Sequence, residues 1–218
     1  MKKNILVVRL SSLGDVILTS ATALNLKVNF PGSHIVYLTK ERYRSIVDCF
    51  DGVDEIITLP QSAGSIDLYK LALKLDGHNF DSIIDLHGNF RSWLARKIIT
   101  ANTKVVYPKR RIERLRIVKK HRLPATWPHT IDLYNKCVKQ FGGQVVCKRP
   151  IIKPPAVEGE ISGILKRADN DKNVVVMAPG AAHPNKQWPM ERFSEVAVNL
   201  HRYDQVATSG ENTCRLLP

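Results

Sequence analysis

Short β-branched runs alternate with amphipathic segments along this chain, and that alternation predicts an α/β protein built on a parallel sheet with helices on both faces. Two further observations support the prediction. The strand-like runs are apolar throughout, as strands covered on both sides require. Proline and glycine punctuation falls where helices should stop, at Pro31-Gly32 and Asp76-Gly77.

Strands are expected at Ile5–Leu10, His34–Leu38, Glu55–Leu59, Ser82–Leu86 and Lys104–Tyr107. Helices are expected between them at Val16–Phe30, Arg42–Phe50, Ile66–Leu75 and Ser92–Ile99, where apolar residues recur at helical spacing. Right-handed crossovers should connect the strands. A cationic stretch from Lys109 to Arg122 carries Ile112, Leu115 and Val118 at i, i+3, i+6, which suits an amphipathic helix with a basic face. His129 precedes another amphipathic segment that runs to Phe141, and it reads as a helix-start residue.

Pro150-Ile-Ile-Lys-Pro-Pro155 sustains neither a helix nor a central strand and reads as part of a linker, which divides the chain into residues 1–155 and 156–218. Beyond it are a helix candidate at Glu160–Ala168, a strand at Asn173–Ala178, a helix at Met190–Tyr203 and a strand at Gln205–Thr208. Two or three strands make a marginal sheet by themselves. The second segment therefore reads either as the start of a truncated domain, the favoured reading, or as a tail packed on the first sheet.

Net charge is +13, from 33 Lys and Arg against 20 Asp and Glu, which favours an anionic partner. The 4 cysteines show neither metal-ligand spacing nor the density of a disulfide scaffold, so a reducing cytosol is the expected compartment. No apolar run approaches the roughly 20 residues of a membrane span. No aromatics interleave the cations of the Lys109–Arg122 stretch, which argues against a nucleic-acid partner and leaves an acidic substrate or anionic headgroups. A simple solvated surface is the competing reading.

Chemistry is expected at strand carboxyl ends, where open α/β sheets bind ligands. Asp15 follows Ser11-Ser12-Leu13-Gly14 at the first such turn. It is a candidate general base for a hydroxyl nucleophile, and it equally suits a helix start, where a carboxylate accepts free amides and matches the dipole. Lys186 lies in a second strand-to-helix turn and is a candidate phosphate contact; a solvated loop lysine is the alternative. Trp188 beside it reads as core packing. Asp85-Leu86-His87-Gly88 and Arg91-Ser92 sit at the fourth strand's end, where they either meet a ligand or satisfy turn amides.

Three blocks together resemble the lipopolysaccharide heptosyltransferases, glycosyltransferase family 9. They are Ile5-Leu-Val-Val-Arg-Leu-Ser-Ser-Leu-Gly-Asp-Val-Ile-Leu-Thr19, Phe80-Asp-Ser-Ile-Ile-Asp-Leu-His-Gly-Asn-Phe-Arg-Ser92 and Pro179-Gly-Ala-Ala-His-Pro-Asn-Lys-Gln-Trp-Pro189. The resemblance implies a GT-B architecture of two Rossmann-like domains, with residues 1–155 on the acceptor side and residues 156–218 opening an incomplete nucleotide-sugar-binding domain. It implies transfer of heptose from ADP-heptose to the anionic lipopolysaccharide inner core with inversion, without metal or other cofactor. Asp15 becomes the base and Lys186 the donor phosphate contact. Arg9, Ser12, His87, Arg91, Lys109, Arg110 and Arg111 become acceptor contacts. The implied location is the cytoplasm, with peripheral contact at the inner membrane face.

This chain departs from the family pattern in two respects. The resemblance implies a second domain longer than residues 156–218, including a glycine-rich, acidic and histidine-bearing region. Ala181 and Ala182 also stand where some relatives place hydroxyl residues. Two other readings therefore remain: a non-catalytic anion- or acceptor-binding module, and a related glycosyltransferase with another donor or acceptor.

Overall fold

The computed structural model describes residues 3–121, 124–153, 174–181, 184–200 and 205–208. The chain divides into two compact units, Met1–Pro155 and Ala156–Pro218.

Five parallel strands form the first unit's sheet: β1 (Asn4–Val8), β2 (His34–Lys40), β3 (Glu55–Leu59), β4 (Ser82–Asp85) and β5 (Thr103–Val106), in spatial order β3-β2-β1-β4-β5. β1 pairs with β2 through Val8↔Leu38 and with β4 through Val8↔Asp85. Strand order thus reverses at β1, and the carboxyl ends of β1 and β4 flank the crevice that such a reversal opens.

Alternate residues of each strand point to opposite faces, and both faces are covered. Ile5, Val7, Ile35, Tyr37 and Ile84 pack on one side against α1 (Leu13–Leu18), α2 (Ser20–Asn29), α3 (Arg44–Val47) and α7 (Thr130–Gln140). Leu6, Val8, Val36, Leu38 and Ile83 pack on the other against α4 (Ser65–Asp76) and α5 (Phe90–Ile98). This double burial explains why the strands read as continuous apolar runs.

The expected helix Val16–Phe30 is two helices. It begins earlier, at Leu13, and breaks at Thr19, whose hydroxyl bonds back to the Val16 carbonyl at 2.6 Å and meets the Tyr37 hydroxyl at 2.6 Å. A threonine hydroxyl that bonds its own backbone one turn back competes with helix continuation. In place of the expected helix Arg42–Phe50 there is a single 3-10 turn, Glu41–Tyr43, followed by the short α3. His129 does start α7: its Nδ1 accepts from Ile131 N at 3.3 Å, while Asp132 accepts from His129 N at 3.0 Å.

After α7 the chain returns across α2. Asn25 Oδ1 accepts from Val146 N and Cys147 N at 2.9 and 2.7 Å, and Ser20 Oγ accepts from Ile151 N at 3.0 Å. The part of the expected linker that is described is therefore anchored to the first unit, with Lys153 N donating to the Cys49 carbonyl at 2.9 Å.

In the basic stretch, α6 spans Arg111–Lys120 and buries no residue. Ile112, Leu115 and Val118 are 67, 62 and 67% exposed, so its apolar stripe does not face the core.

In the second unit, β6 (Val174–Met177) and β7 (Gln205–Thr208) pair in parallel, with a 3-10 turn, Pro184–Lys186, and α8 (Met190–Asn199) between them in sequence. The expected helix Glu160–Ala168 lies outside the described residues. Among the described residues, no helix is long and apolar enough to cross a membrane.

Candidate active site

Asp15 occupies the third position of α1, at the carboxyl edge of β1. Ser12 donates to its Oδ2 from the hydroxyl at 2.9 Å and from the amide at 3.5 Å, the helix-start role the sequence allowed. Two partners that local sequence does not disclose also reach it. Arg9 Nη2 lies 2.5 Å from Oδ2, and the Tyr134 hydroxyl, carried by α7, donates to Oδ1 at 3.2 Å.

Arg9 is 5% exposed and is held from three sides. Its Nη1 donates to the Leu86 carbonyl at 2.6 Å, its Nη2 faces Asp15, and the Tyr134 ring lies 5.5 Å below the guanidinium. Leu86 follows β4, so one arginine fastens the first turn to the fourth. Asp15 remains 37% exposed and open on one side. Burial pushes its carboxyl up, but Arg9, the two Ser12 donors and Tyr134 together outweigh this and hold it below the ordinary carboxylate range. It is ionised at neutral pH. Burial raises the Tyr134 hydroxyl, so it stays a protonated donor.

The β4 turn is built on Asp85, which is 1% exposed. Its Oδ1 accepts from His87 N at 2.9 Å and Gly88 N at 2.7 Å, and Arg96 Nε lies 3.5 Å from Oδ2. Asp85 therefore shapes the turn. Gly88 has φ +56, which favours glycine, and a Cβ there would crowd the Tyr107 ring at 3.2 Å. His87 is 8% exposed, and burial first, then Arg9 and Lys109, lower it to about 4. It is a neutral imidazole at physiological pH. Ser92 N donates to Asn89 Oδ1 at 3.0 Å, which leaves the Asn89 amide NH₂ to donate to His87 Nε2 at 2.6 Å and puts the ring proton on Nδ1.

The basic segment divides between two places. Lys109 joins this edge: its ammonium lies 5.9 Å from the Tyr107 ring centre, and burial, then Arg111 and Arg9, depress it while Asp85 and Asp15 act in the opposite sense. Arg110, at φ 49, turns the chain into α6; its guanidinium stacks 4.9 Å from the Trp127 ring centre and pairs with Glu113. Arg110, Arg116, Lys120 and Trp127 line an open groove of about 490 Å³. Trp127 is thus an aromatic among the cations that spacing did not reveal. Arg111 is exposed on α6. Arg91, half-buried in the first turn of α5, acts with Arg42 and after burial to depress Lys40, a cation at the end of β2.

Asp15, Arg9, Ser12, His87 and Lys109 therefore gather at one edge of the first sheet, with Tyr107 and Tyr134 as members that the sequence reading assigned no function. In the second unit, Lys186 ends the 3-10 turn, exposed, before α8. Trp188 is 47% exposed and meets Phe193 edge-on at 4.8 Å, so it is not a buried core residue. Among the described residues, no group of three His, Cys, Asp or Glu side chains could hold a metal ion.

The family model for glycosyltransferase family 9 (heptosyltransferase) matches residues 68–213. The chain belongs to this family. The matched stretch contains His87, Arg91, the basic segment and Lys186, whereas Asp15 lies before it. Among solved structures, a family 9 glycosyl transferase from Veillonella parvula is 25% identical with TM-score 0.70, over 95% of this chain and 63% of that one. E. coli ADP-heptose lps heptosyltransferase II is 21% identical with TM-score 0.67, covering 95% of this chain and 64% of its own. E. coli heptosyltransferase WaaC with ADP is 18% identical with TM-score 0.65, over 96 and 67%. These likenesses show a GT-B fold, and the family 9 chain spans about two thirds of the length of the structures it matches. No curated protein sequence matches it.

Proposed function

We propose that this protein acts as an inverting heptosyltransferase that moves heptose from ADP-heptose to the anionic inner core of lipopolysaccharide, with residues 1–155 on the acceptor side. The observation that carries the reading is Asp15: ionised, oriented by Arg9 and Tyr134, and still open on one side at the carboxyl edge of β1. In this reading an acceptor hydroxyl hydrogen-bonds to Asp15, and its oxygen attacks the anomeric carbon from the face opposite the nucleotide. The bond from that carbon to the diphosphate oxygen breaks, ADP leaves, and the hydroxyl proton passes to Asp15. A carboxylate held low is a weak base. It takes the proton late, once the acceptor oxygen has lost electron density to the sugar.

Lys186, at a turn that opens α8, is the proposed contact for the departing phosphate. Ser12, His87, Arg91 and Lys109 are the proposed acceptor contacts at the edge, with Arg110 and Arg111 extending the field towards acceptor phosphates. Arg9, nearly enclosed, acts through Asp15. The acceptor's lipid anchor implies work in the cytoplasm, at the inner face of the membrane.

Separate calorimetric titrations test the division of labour. Delipidated core acceptor is expected to bind this chain, and Lys109→Ala with Arg110→Ala and Arg111→Ala is expected to weaken it most at low salt. Absent acceptor binding, or a loss independent of salt, refutes the assignment.

A further inference from the structure

Helices α4 and α5 pack against each other and share one core cluster on the sheet, burying Leu68, Ala72, Leu75 and Ala95. Their outward faces are not the polar surface that such helices usually present. On α4, Ile66, Tyr69 and Leu73 fall at i, i+3, i+7 opposite the buried stripe and are 70, 46 and 51% exposed. On α5, Phe90 and Trp93 are 69 and 41% exposed, with their rings stacked at 5.6 Å.

Exposed lysines flank them. Lys70 and Lys74 on α4 and Lys97 on α5 are exposed, and among the described residues none forms an ion pair. Both acids of α4 are engaged by the backbone: Asp67 accepts from Gly64 N at 2.8 Å and Asp76 from Thr100 N at 2.6 Å. Apolar side chains, two interfacial aromatics and unpaired lysines on adjacent helices match a layer with an acyl interior and anionic headgroups. A second copy fits poorly, since it would press these lysines together between molecules of net charge +13.

We infer that the outer face of α4 and α5, carrying Ile66, Tyr69, Leu73, Phe90 and Trp93 with Lys70, Lys74 and Lys97, is the surface that docks this protein on an anionic lipid bilayer. The inference deepens the reading of peripheral membrane contact and does not depend on heptosyl transfer. Helices that follow parallel strands start at the strands' carboxyl edge, so Ile66, Phe90 and Trp93 bring the lipid surface to the edge that holds Asp15. Helix α6 is then left free for the acceptor.

Vesicle co-sedimentation decides it, using phosphatidylcholine vesicles with and without phosphatidylglycerol. Binding is expected only with the anionic lipid, together with a blue shift of Trp93 in a chain carrying Trp127→Phe and Trp188→Phe. Ile66→Ser with Leu73→Ser is expected to weaken binding by about tenfold or more, and Lys70→Glu with Lys74→Glu and Lys97→Glu to abolish it at low salt. All these side chains are exposed, so an unchanged melting temperature accompanies the loss. The triple substitution Lys109→Ala, Arg110→Ala, Arg111→Ala is expected to leave vesicle binding intact. Binding lost in that variant but kept in the α4 variants overturns the assignment to this face while preserving membrane contact. No binding by the unaltered protein overturns both. Concentration-dependent dimerisation abolished by Ile66→Ser with Leu73→Ser identifies a second copy as the occupant and overturns the lipid.

Discussion

Substituting Asp15→Asn removes the charge opposite Arg9 while keeping the shape of the first turn. Arg9 has a side chain only 6% exposed and keeps its bond to the Leu86 carbonyl, but it loses the Asp15 carboxylate. Breaking a fully buried pair typically costs about 3–5 kcal/mol. Asp15 is 37% exposed, so water screens the pair and rehydrates part of the gap. A loss of about 1–2 kcal/mol is the discounted expectation. For a unit of this size each kcal/mol moves Tm by about 2–4 °C, so the variant should melt roughly 2–8 °C lower at neutral pH.

The pH dependence is more diagnostic. Folding depresses the Asp15 carboxyl, so its stabilisation is present above the unfolded-state value and is lost as pH falls through the folded one. The Tm gap between the protein and its Asp15→Asn variant should therefore close in acid. Arg9→Gln should be non-additive with Asp15→Asn in a double-mutant cycle. An Asp15→Asn variant as stable as the parent at pH 7, or a gap independent of pH, refutes the pairing on which the orientation of Asp15 depends.

Three other outcomes follow from the same geometry. Tyr134→Phe deletes a donor to Asp15 and should move that carboxyl's titration to higher pH, which carbon NMR of the side chain reads directly; no movement denies the contact. Gly88→Ala puts a side chain at φ +56 against the Tyr107 ring and should destabilise by about 1–3 kcal/mol in denaturant unfolding. Ile83→Ala, fully buried between β4 and the α4–α5 layer, should cost about 2–5 kcal/mol with an unchanged m-value.

The sheet was legible because its signal is local. Runs such as Ile5-Leu-Val-Val8 are apolar on both faces, and their shortness, β-branched content and flanking punctuation mark them as strands; β3 falls on the expected residues. Thr19 hid the break between α1 and α2, because a hydroxyl bonding back to the Val16 carbonyl leaves no trace in hydrophobic spacing. At the site, Asp15 and His87 could be found from their position after strands. Tyr134 could not, because it sits 119 residues from Asp15 in sequence and reads as part of an amphipathic face. Arg9 was visible but its role was not: only the fold shows that it is enclosed by Leu86, Asp15 and Tyr134. Trp127 likewise joins Arg110 only after α6 has turned.

The central claim is that Asp15 takes the acceptor's proton during heptosyl transfer. The most direct measurement is turnover of ADP-heptose onto inner-core acceptor by the protein and by its Asp15→Asn variant, with the product's anomeric configuration read by NMR. An inverted linkage is expected, with a fall in kcat of about 10² or more in the variant. Undiminished turnover in Asp15→Asn, or a product with retained configuration, contradicts the claim.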